Sequence, residues 1–560
     1  MKNKKLKYIF VAGGVMSGVG KGVSVSSIAK IIQWQGLKVT CVKIDPYVNV
    51  DAGTMNPTEH GEVFVLSDGL ECDQDMGNYE RFLGENLSRS NYLTTGSIYL
   101  DVIKKERALK YDGRCVEVVP HIPLAILAKI DQAAIESQAD VIIVEIGGTV
   151  GEYQNILFLE AIRILKTKKP ADVVLALVSW LPYQGLGSEL KTKPTQYAVR
   201  TINAAGLQPD VIIARAAFAL DQKRKEKIAF NCNLKEEEII SAPDIKSIYE
   251  VPLNFERDNL GRVILKKLNL KKKHKKTDRL VWSKLIRTVK TAKAELRIGV
   301  VGKYFASGNF ILSDSYISVI EAIKHAAYFF KRQPVIEWLS ADDFDPAYVK
   351  TKVKENLLKL KKLDGVIVPG GFGSRAVEGK INAIRFCREN KIPFFGLCYG
   401  MQLMVVEFAR HLAGLNQAQT TEIDPATPAP VIDILPEQKN NLTNQAFGAT
   451  MRLGSYPAIL AEETIAAKAY GRTKIGERHR HRYEVNPAYV ETLTKAGLIF
   501  SGFSPDKRLM EIAELPKNKH PFFIGVQFHP EFQSYPLKPQ PLFKEFIRAC
   551  LKRRLIGNQK

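Results

Sequence analysis

The sequence predicts two α/β domains in tandem, on two observations. Short, uniformly apolar segments alternate with amphipathic stretches almost throughout, the pattern of parallel strands covered on both faces by helices. The alternation breaks at the charged run KKLNLKKKHKK (Lys266–Lys276) and resumes from Leu296. The break separates a first domain over residues 1–265, a basic linker over 266–295 expected to be a solvated tether, and a second domain over 296–555. The length of 560 residues agrees with two large domains or three of ordinary size.

In the first set, YIFVAGG (Tyr8–Gly14) reads as a buried strand, Lys21–Gln35 as a helix and KVTCVKI as the next strand. VIIVEI (Val141–Ile146), DVVLALVS (Asp172–Ser179) and DVIIARA (Asp210–Ala216) follow as strands, several separated by helical patterns. In the second set, LRIGVVGKY is a strand and turn, Ser313–Phe330 a helix, GVIVPGGFG a strand and loop, and IPFFGLCYGMQ a strand, turn and helix; FIGVQFHPEF closes the set. Thr420–Phe447, rich in Pro, Thr and Asn, reads as a long loop of the kind that forms lids or disordered inserts. There is no internal repeat.

Composition narrows the classes. With 45% hydrophobic and 25% charged residues the chain is not disordered, collagen-like or mucin-like. Lys and Arg number 81 against 59 Asp and Glu, a net charge of +22 that suggests an anionic partner: nucleic acid, an anionic membrane face or phosphorylated small molecules. The basic run has no interleaved aromatics to stack bases and no nucleic-acid motif accompanies it, so no nucleic-acid partner is expected; a positive field also attracts multiply charged nucleotides. No uninterrupted apolar run approaches the roughly 18 residues of a membrane span, and no membrane partner is expected. MKNKKLK before an apolar Tyr8–Gly20 has the outline of a secretory leader, but Gly13, Gly14, Gly18 and Gly20 thin it and it ends in Gly-Lys-Gly instead of a small-residue cleavage site. The seven cysteines are scattered without a CxxC pair, which argues against a disulfide framework or structural zinc. The expectation is a cytoplasmic protein.

The first chemical centre is GGVMSGVGKG (Gly13–Gly22), which follows a strand and opens a helix. Glycines let the backbone turn its N–H groups on phosphate oxygens, the helix N-terminus favours anions, and Lys21 supplies a point charge for the outer phosphates. A P-loop-type, doubly wound parallel sheet is therefore the fold expected here. The loop departs from GxxxxGK[ST]: Gly22 stands where a Ser or Thr would touch the metal. Carboxylates elsewhere must then hold Mg²⁺, and Asp75 in ECDQDMG and Glu145 at the end of VIIVEI are the candidates. An acid ending an otherwise apolar strand is paired or functional, whereas a loop acid is more often only solvated. KTKPTQ (Lys191–Gln196) suits a nucleotide triphosphate, though by composition it is equally a surface turn.

The second centre is FFGLCYGMQ, where Cys398 lies between an apolar strand and a helix with Gly396 and Gly400 two residues to either side. This is the thiol form of a nucleophile elbow, and the helix N-terminus favours the thiolate. PGGFG (Pro369–Gly373) offers backbone N–H groups for an oxyanion hole. In FHPEF, His529 and Glu531 are two apart, as a base and its orienting acid.

PGGFG, GLCYGMQ and HPE together resemble the class I (triad) glutamine amidotransferases. With GGVMSGVGKG, DPYVNVDAGTMNPTEHGEVFV, VEIGGTVGE, KTKPTQ and RHRHRYEVN, the ordered set resembles the CTP synthase family over nearly the whole chain. The resemblance implies a synthetase domain followed by a class I glutamine amidotransferase domain. It implies a carbon–nitrogen ligase that makes CTP from UTP, ATP and L-glutamine: phosphorylation of the uracil 4-oxygen, then attack by ammonia. Mg²⁺ is the implied cofactor, GTP an allosteric activator, CTP a feedback inhibitor and a homotetramer the assembly. The alternative is an ATP-dependent glutamine amidotransferase for a different acceptor, which KTKPTQ and GTMNPTEHGEVF weigh against.

By the same resemblance, Gly18, Val19, Gly20, Lys21, Gly22 and Val23 match the ATP loop, with Asp75 and, on the adenine side, Asp244 and Ile245. Asp75 and Glu145 match the magnesium ligands. Ser17, the segment Glu152, Tyr153, Gln154, then Lys191, Thr192, Lys193, Pro194, Thr195, Gln196 and Lys227 match the UTP/CTP contacts. Gly371, Tyr399, Gly400, Met401, Gln402, Glu422 and Arg482 match the glutamine pocket, and Pro57, His60 and Val63 the constriction of an ammonia passage. Three departures stand out. Glu152-Tyr153-Gln154 replaces an Asp-Ile-Glu triplet, which implies altered CTP inhibition. The segment between Glu422 and Gly448 is short, and Ala376 follows Arg375 where the family has Gly; both bear on GTP activation.

Overall fold

The structure, a computed structural model, describes residues 5–184, 189–272, 276–303, 306–307, 310–311, 313–436, 438 and 448–557. They form two compact units. One comprises the chain up to Ala52 together with Asp75–Ile286; the other comprises Gly53–Gln74 together with the chain from Arg287.

The first unit is built on seven parallel strands: β1 (Lys7–Gly14), β2 (Val39–Asp45), β3 (Tyr92–Thr94), β4 (Val141–Ile146), β5 (Val173–Trp180), β6 (Val211–Ala216) and β7 (Ile239–Pro243), in the order β7-β6-β5-β1-β4-β2-β3. Every residue of β1, β2 and β4 is buried, which is why these strands are mainly apolar, with Lys7, Lys43, Asp45 and Glu145 as their buried charges. Helix α1 (Lys21–Trp34) follows the glycine loop directly, and α2 (Asp75–Leu83) packs on it. Strands β3 and β7 lie outside the apolar runs singled out in the sequence. Helix α3 (Val118–Glu136) is long and apolar enough to cross a membrane by length and composition, but Ile122, Ile126 and Ile130, spaced four apart, are buried in the core of this unit.

The basic linker expected over 266–295 is largely helix. Helix α4 (Lys276–Thr291) carries Trp282 and Ile286 four residues apart, both buried. The Trp282 indole donates to the Tyr249 carbonyl at 2.8 Å and its ring meets Phe82 and Tyr249. One apolar stripe therefore brings residues as far as Ile286 into the first unit, past the break expected at 266; residues 273–275 lie outside the described ones.

The second unit has a nine-stranded sheet: β8 (Glu295–Gly302), β9 (Gln333–Ser340), β10 (Gly365–Val368), β11 (Phe394–Leu397), β12 (Arg452–Leu460), β13 (Lys474–His481), β14 (Ile499–Phe503), β15 (Met510–Glu514) and β16 (Phe523–Val526). The order is β9-β8-β10-β11-β16-β15-β14-β12-β13, parallel as far as β16 and antiparallel beyond it. Helices α5 (Val377–Glu389), α6 (Tyr399–His411) and α7 (Pro541–Gly557) cover it.

Two expectations are corrected here. The stretch Thr420–Phe447 is not wholly a loop, because Ala429–Ile434 pairs with Ala418–Thr420 and Tyr483–Val485 in a three-stranded sheet; residues 437 and 439–447 lie outside the described ones. Residues 53–74, placed by sequence in the first domain, belong to the second unit. Glu62 accepts the Ser318 backbone N–H at 3.2 Å and the Ser318 hydroxyl, Arg480 pairs with Glu71 at 2.8 Å, and the buried Arg478 donates to the Val65 carbonyl at 3.0 Å.

Candidate active site

In the second unit the sequence forces a sharp turn between β11 and α6. Cys398 holds φ 49° and ψ −103°, a conformation an L-residue adopts only under constraint. The constraint is steric. A Cβ on Gly396 would meet the Gly400 backbone at 2.7 Å, and one on Gly400 would meet the Val368 carbonyl at 2.1 Å. The strand thus runs straight into the helix with the sulfur turned into a cavity of about 300 Å³, which Gly370, Gly371, Arg480, Arg482 and His529 also line.

His529 Nδ1 lies 2.7 Å from Glu531 Oε1, and the Cys398 sulfur acts electrostatically on the same ring. Burial opposes protonation of this imidazole, but the Glu531 carboxylate and the Cys398 sulfur outweigh it and raise its pKa to about 10. At neutral pH the ring is therefore a cation, ready to give a proton to a leaving amine. Gly370 leaves room for the ring, since a Cβ there would meet His529 Cε1 at 2.8 Å. Gln527 Nε2 and the Arg480 carbonyl each sit 3.7 Å from the sulfur.

Of the residues expected in the glutamine pocket, Gly371 and Arg482 line the cavity with Cys398. Arg482 is held by Gln438 at 2.6 Å and Thr450 at 2.9 Å. Glu422 accepts the Gly373 N–H at 2.7 Å, and burial raises its pKa. The Tyr399 hydroxyl donates to the Gly373 carbonyl at 3.0 Å. Gly400 and Met401 serve packing, with Met401 fully buried against Gly525, and the Gln402 amide donates to the Tyr483 carbonyl at 2.8 Å. Pro57 and Val63 line the same cavity as Cys398; His60 faces Asp73 at 3.6 Å. Sequence reasoning missed Arg480 and Gln527, and it took Phe372, which also lines the cavity, only as part of the PGGFG turn. RHRHRYEVN was noticed as a motif, but nothing in it marks one arginine as a wall of the cavity.

In the first unit, Gly18 and Gly20 take positive φ of 68° and 88° between β1 and α1. Lys21 lies back over the loop and donates to the Gly148 carbonyl at 2.9 Å; a Cβ on Gly13 would meet its Cδ at 2.8 Å. Burial lowers the Lys21 pKa. The missing Ser/Thr at Gly22 has a physical reason: a Cβ there would stand 2.0 Å from Asp75 Oδ1. The loop gives up its hydroxyl to admit a carboxylate from α2.

That carboxylate belongs to a buried charge cluster. Lys43 Nζ, from the middle of β2, lies 2.6 Å from Asp75, 2.9 Å from Glu145 and 3.7 Å from Asp45. The Tyr79 hydroxyl donates to the other Glu145 oxygen. Burial raises the pKa of Glu145 and of Asp45, whereas Lys43 outweighs burial at Asp75 and lowers it. Asp75 and Glu145 thus converge on the Lys43 ammonium, and among the described residues no group of three or more His, Cys, Asp or Glu side chains is placed to hold a metal ion. Sequence reasoning missed Lys43, although a lysine inside a buried strand always needs a partner.

The residues matched to UTP/CTP fall in two groups. Glu152 and Gln154 hydrogen-bond each other at 2.5 Å, and Tyr153 beside them is 93% exposed. Lys191 pairs with Glu189 at 2.8 Å, and Arg224 and Lys227 act on the same carboxylate. Thr192 and Lys193 open the helix Lys193–Ala204 with Pro194 in its first turn. Thr195 accepts the Ser179 hydroxyl at 2.8 Å, and Gln196 reaches back to Thr192 at 3.2 Å. Asp244 is bound by Arg215 at 2.8 Å, and Arg215 approaches Gly20, the loop's own turn; Ile245 follows Asp244 half-buried. Ser17 is exposed at the loop's tip, Val19 is buried and Val23 half-buried in the first turn of α1.

A thiol on a strained strand–helix turn, an imidazole–carboxylate pair facing it and a doubly wound sheet with a glycine loop define a glutamine amidotransferase joined to a nucleotide-dependent synthetase. Residues 7–270 match the family described as CTP synthase N-terminus, and residues 311–549 that described as glutamine amidotransferase class-I. The chain is similar to the CTP synthase of Staphylococcus epidermidis, 46% identical over 97% of this chain and 99% of that one. It is similar also to those of Methanocaldococcus jannaschii (47%, over 99% and 100%) and Sulfurisphaera tokodaii (49%, over 97% and 99%). Among solved structures it resembles the Trypanosoma brucei CTPS glutaminase domain with bound acivicin, 35% identical, covering 46% of this chain and 94% of that one at a TM-score of 0.42. The chain belongs to the CTP synthase family and catalyses the glutamine-dependent amination of UTP to CTP.

Proposed function

We propose that the reaction is divided between the two centres and that Cys398 alone releases the nitrogen. The observation that carries this is the strained thiol beside the protonated His529–Glu531 pair. The Cys398 thiolate attacks the glutamine side-chain carbonyl carbon. The carbonyl electrons move to an oxyanion held by backbone N–H groups of the Gly370–Gly371 turn. His529 gives its proton to the nitrogen, the C–N bond breaks, and ammonia leaves behind a thioester. Water then attacks the thioester with His529 as base, glutamate departs, and the thiolate is restored. Glu531 holds the imidazole throughout. Arg482, Glu422, Tyr399, Gly400, Met401 and Gln402 bind and shape the amide site, and Pro57, His60 and Val63 border the ammonia's exit.

At the other centre the Gly18–Val23 loop and Lys21 hold the ATP phosphates, with Asp244 and Ile245 toward the adenine. Ser17, Glu152–Gln154, Lys191–Gln196 and Lys227 hold UTP, or CTP as inhibitor. Asp75 and Glu145 hold Mg²⁺, which supplies charge neutralisation on the phosphates. ATP's γ-phosphoryl group passes to the 4-oxygen of UTP, releasing ADP; ammonia attacks carbon 4, and phosphate leaves. The reading includes a homotetramer, activation by GTP and a cytoplasmic location.

The test follows UTP conversion to CTP by absorbance with glutamine or with an ammonium salt, each with GTP added or withheld. Cys398→Ala should lose the glutamine reaction and keep the ammonia reaction. Equal loss of both in a folded variant would refute the division of labour.

A further inference from the structure

Parallel strands give a sheet two unlike edges. In the second unit Cys398 sits at the carboxyl end of β11, while the opposite edge, where β8, β10, β11 and β16 begin, holds a separate cavity of about 930 Å³. Its wall comes from the chain just before or within the first turns of these strands and from α7. Five lysines and four arginines line it against two carboxylates, Asp364 and Glu545.

Both carboxylates are already engaged. Asp364 accepts the Arg297 backbone N–H at 2.8 Å and pairs with Arg554 at 3.3 Å, and Glu545 pairs with Arg548. Lys362, Lys391, Lys517 and Lys552 are exposed and make no ion pair among the described residues. Like charges gathered at one concavity repel, and the low-dielectric wall focuses their field into it. A cavity of this size is in the range of small-ligand sites. Among the described residues no aromatic ring lines it, and its few apolar residues are Leu363, Pro521 and Ala549, so it recognises charge and not a base. Lysines act on phosphates as point charges, which suits linked phosphates of variable geometry. The +22 of the whole chain finds here a concentration that the two reaction centres do not absorb.

We propose that this basic cavity at the amino-terminal edge of the second sheet is a binding site for a compact polyphosphate, an anion of several linked phosphoryl groups recognised without a nucleobase. Binding weakens with salt, because the contacts are exposed charge pairs screened within about 10 Å at 0.1 M ionic strength.

The test is calorimetric titration of the full chain with inorganic tripolyphosphate, in a Lys21→Met background so that the nucleotide loop does not contribute. The expected result is one saturable site per chain, weakened at least tenfold when Lys362, Lys517 and Lys552 are all changed to Gln. Because these lysines are exposed, the triple variant folds, and its glutamine hydrolysis stays within twofold of the parent. Binding that vanishes with Lys21→Met alone, or that the triple variant keeps within twofold, overturns the proposal. Sulfate competing as well as tripolyphosphate at equal ionic strength overturns it as an adventitious anion effect, and a single-stranded RNA that displaces tripolyphosphate with higher affinity overturns the assigned ligand class.

Discussion

The glycine loop of the first unit and the cysteine turn of the second are both strand–turn–helix junctions, yet they place strain and charge oppositely. At Gly18 and Gly20 the positive φ falls on residues that tolerate it, and the chemistry rests on backbone N–H groups and on charges brought from elsewhere. At Cys398 the positive φ falls on the reactive residue itself, and the flanking glycines only clear space. The loop therefore depends on Lys43, Asp75 and Glu145, contributed by other elements. The turn depends on its own geometry and on one imidazole. A binding loop must stay open to a large anion, whereas a nucleophile must be held at one point.

Cys398→Ala removes the nucleophile from the strained turn and leaves the glycine loop intact. Glutamine-dependent CTP formation should fall by about 10⁴-fold or more, with the ammonia-dependent rate within about twofold of the parent. A loss confined to one nitrogen source means that the turn serves only amide hydrolysis.

Lys43→Met attacks the other junction. It leaves the buried Glu145 and Asp45 and the half-buried Asp75 without their cation, and breaking a buried pair such as Lys43 with Glu145 costs about 3–5 kcal/mol. Urea unfolding of the first unit should shift by that amount, and CTP formation should fail with either nitrogen source. Glutamine hydrolysis measured by glutamate release should persist. If ammonia-dependent synthesis survives unchanged, the cluster is structural and does not serve the nucleotide loop.

Glu531→Gln sharpens the account of the turn. Removing the charge takes away the largest of the influences that raise the His529 pKa to about 10, and burial then pulls it down. The imidazolium is lost at lower pH, so the alkaline limb of glutamine hydrolysis should move downward, with a rate loss of about 10²–10⁴-fold at its optimum. A raised histidine pKa contributes stability that is fully present below its ordinary value near 6.5 and is lost as pH rises through about 10. The variant's deficit should therefore be largest at or just below about pH 6.5, shrink through neutrality and close at strongly alkaline pH. An unmoved alkaline limb would mean that Glu531 does not set the imidazole's charge.

The two junctions also differ from the rest of the chain in how much of them local sequence disclosed. Gly13–Gly22 and Phe394–Gln402 were legible because a turn's requirements are written within a few residues: glycine where φ is positive or backbones touch, and a polar group at the tip. His529 and Glu531 were legible for the same reason. Lys43 was not, because a strand's apolar average hides one lysine, and its three partners come from separate parts of the chain. The exchange of residues 53–74 into the second unit was equally hidden. It rests on contacts such as Glu62 with Ser318, 256 residues apart, and no periodicity reports such a pairing. Helix α4 was obscured by its neighbours: the lysine run before it masks the stripe that carries Trp282 and Ile286.

Ala376 is the mildest test of where strain belongs. It caps α5 at φ 50°, ψ 36°, in the left-handed region, with only 3% of the residue exposed. Unlike Cys398 it carries no reacting atom, so nothing in the turn uses the strain. A left-handed L-residue costs about 1–2 kcal/mol. Glycine relieves that but adds freedom to the unfolded chain and gives up a buried methyl, offsets of about 0.5–1 kcal/mol each. These terms nearly cancel for Ala376→Gly, leaving a net change within about 1 kcal/mol of zero and a shift in the second unit's Tm of at most about 2–4 °C. Glutamine hydrolysis without GTP should not change. A fall in Tm would mean that the buried methyl outweighs the backbone, and that the strained conformation at this cap is held by packing in the way that Cys398 is held by its glycines.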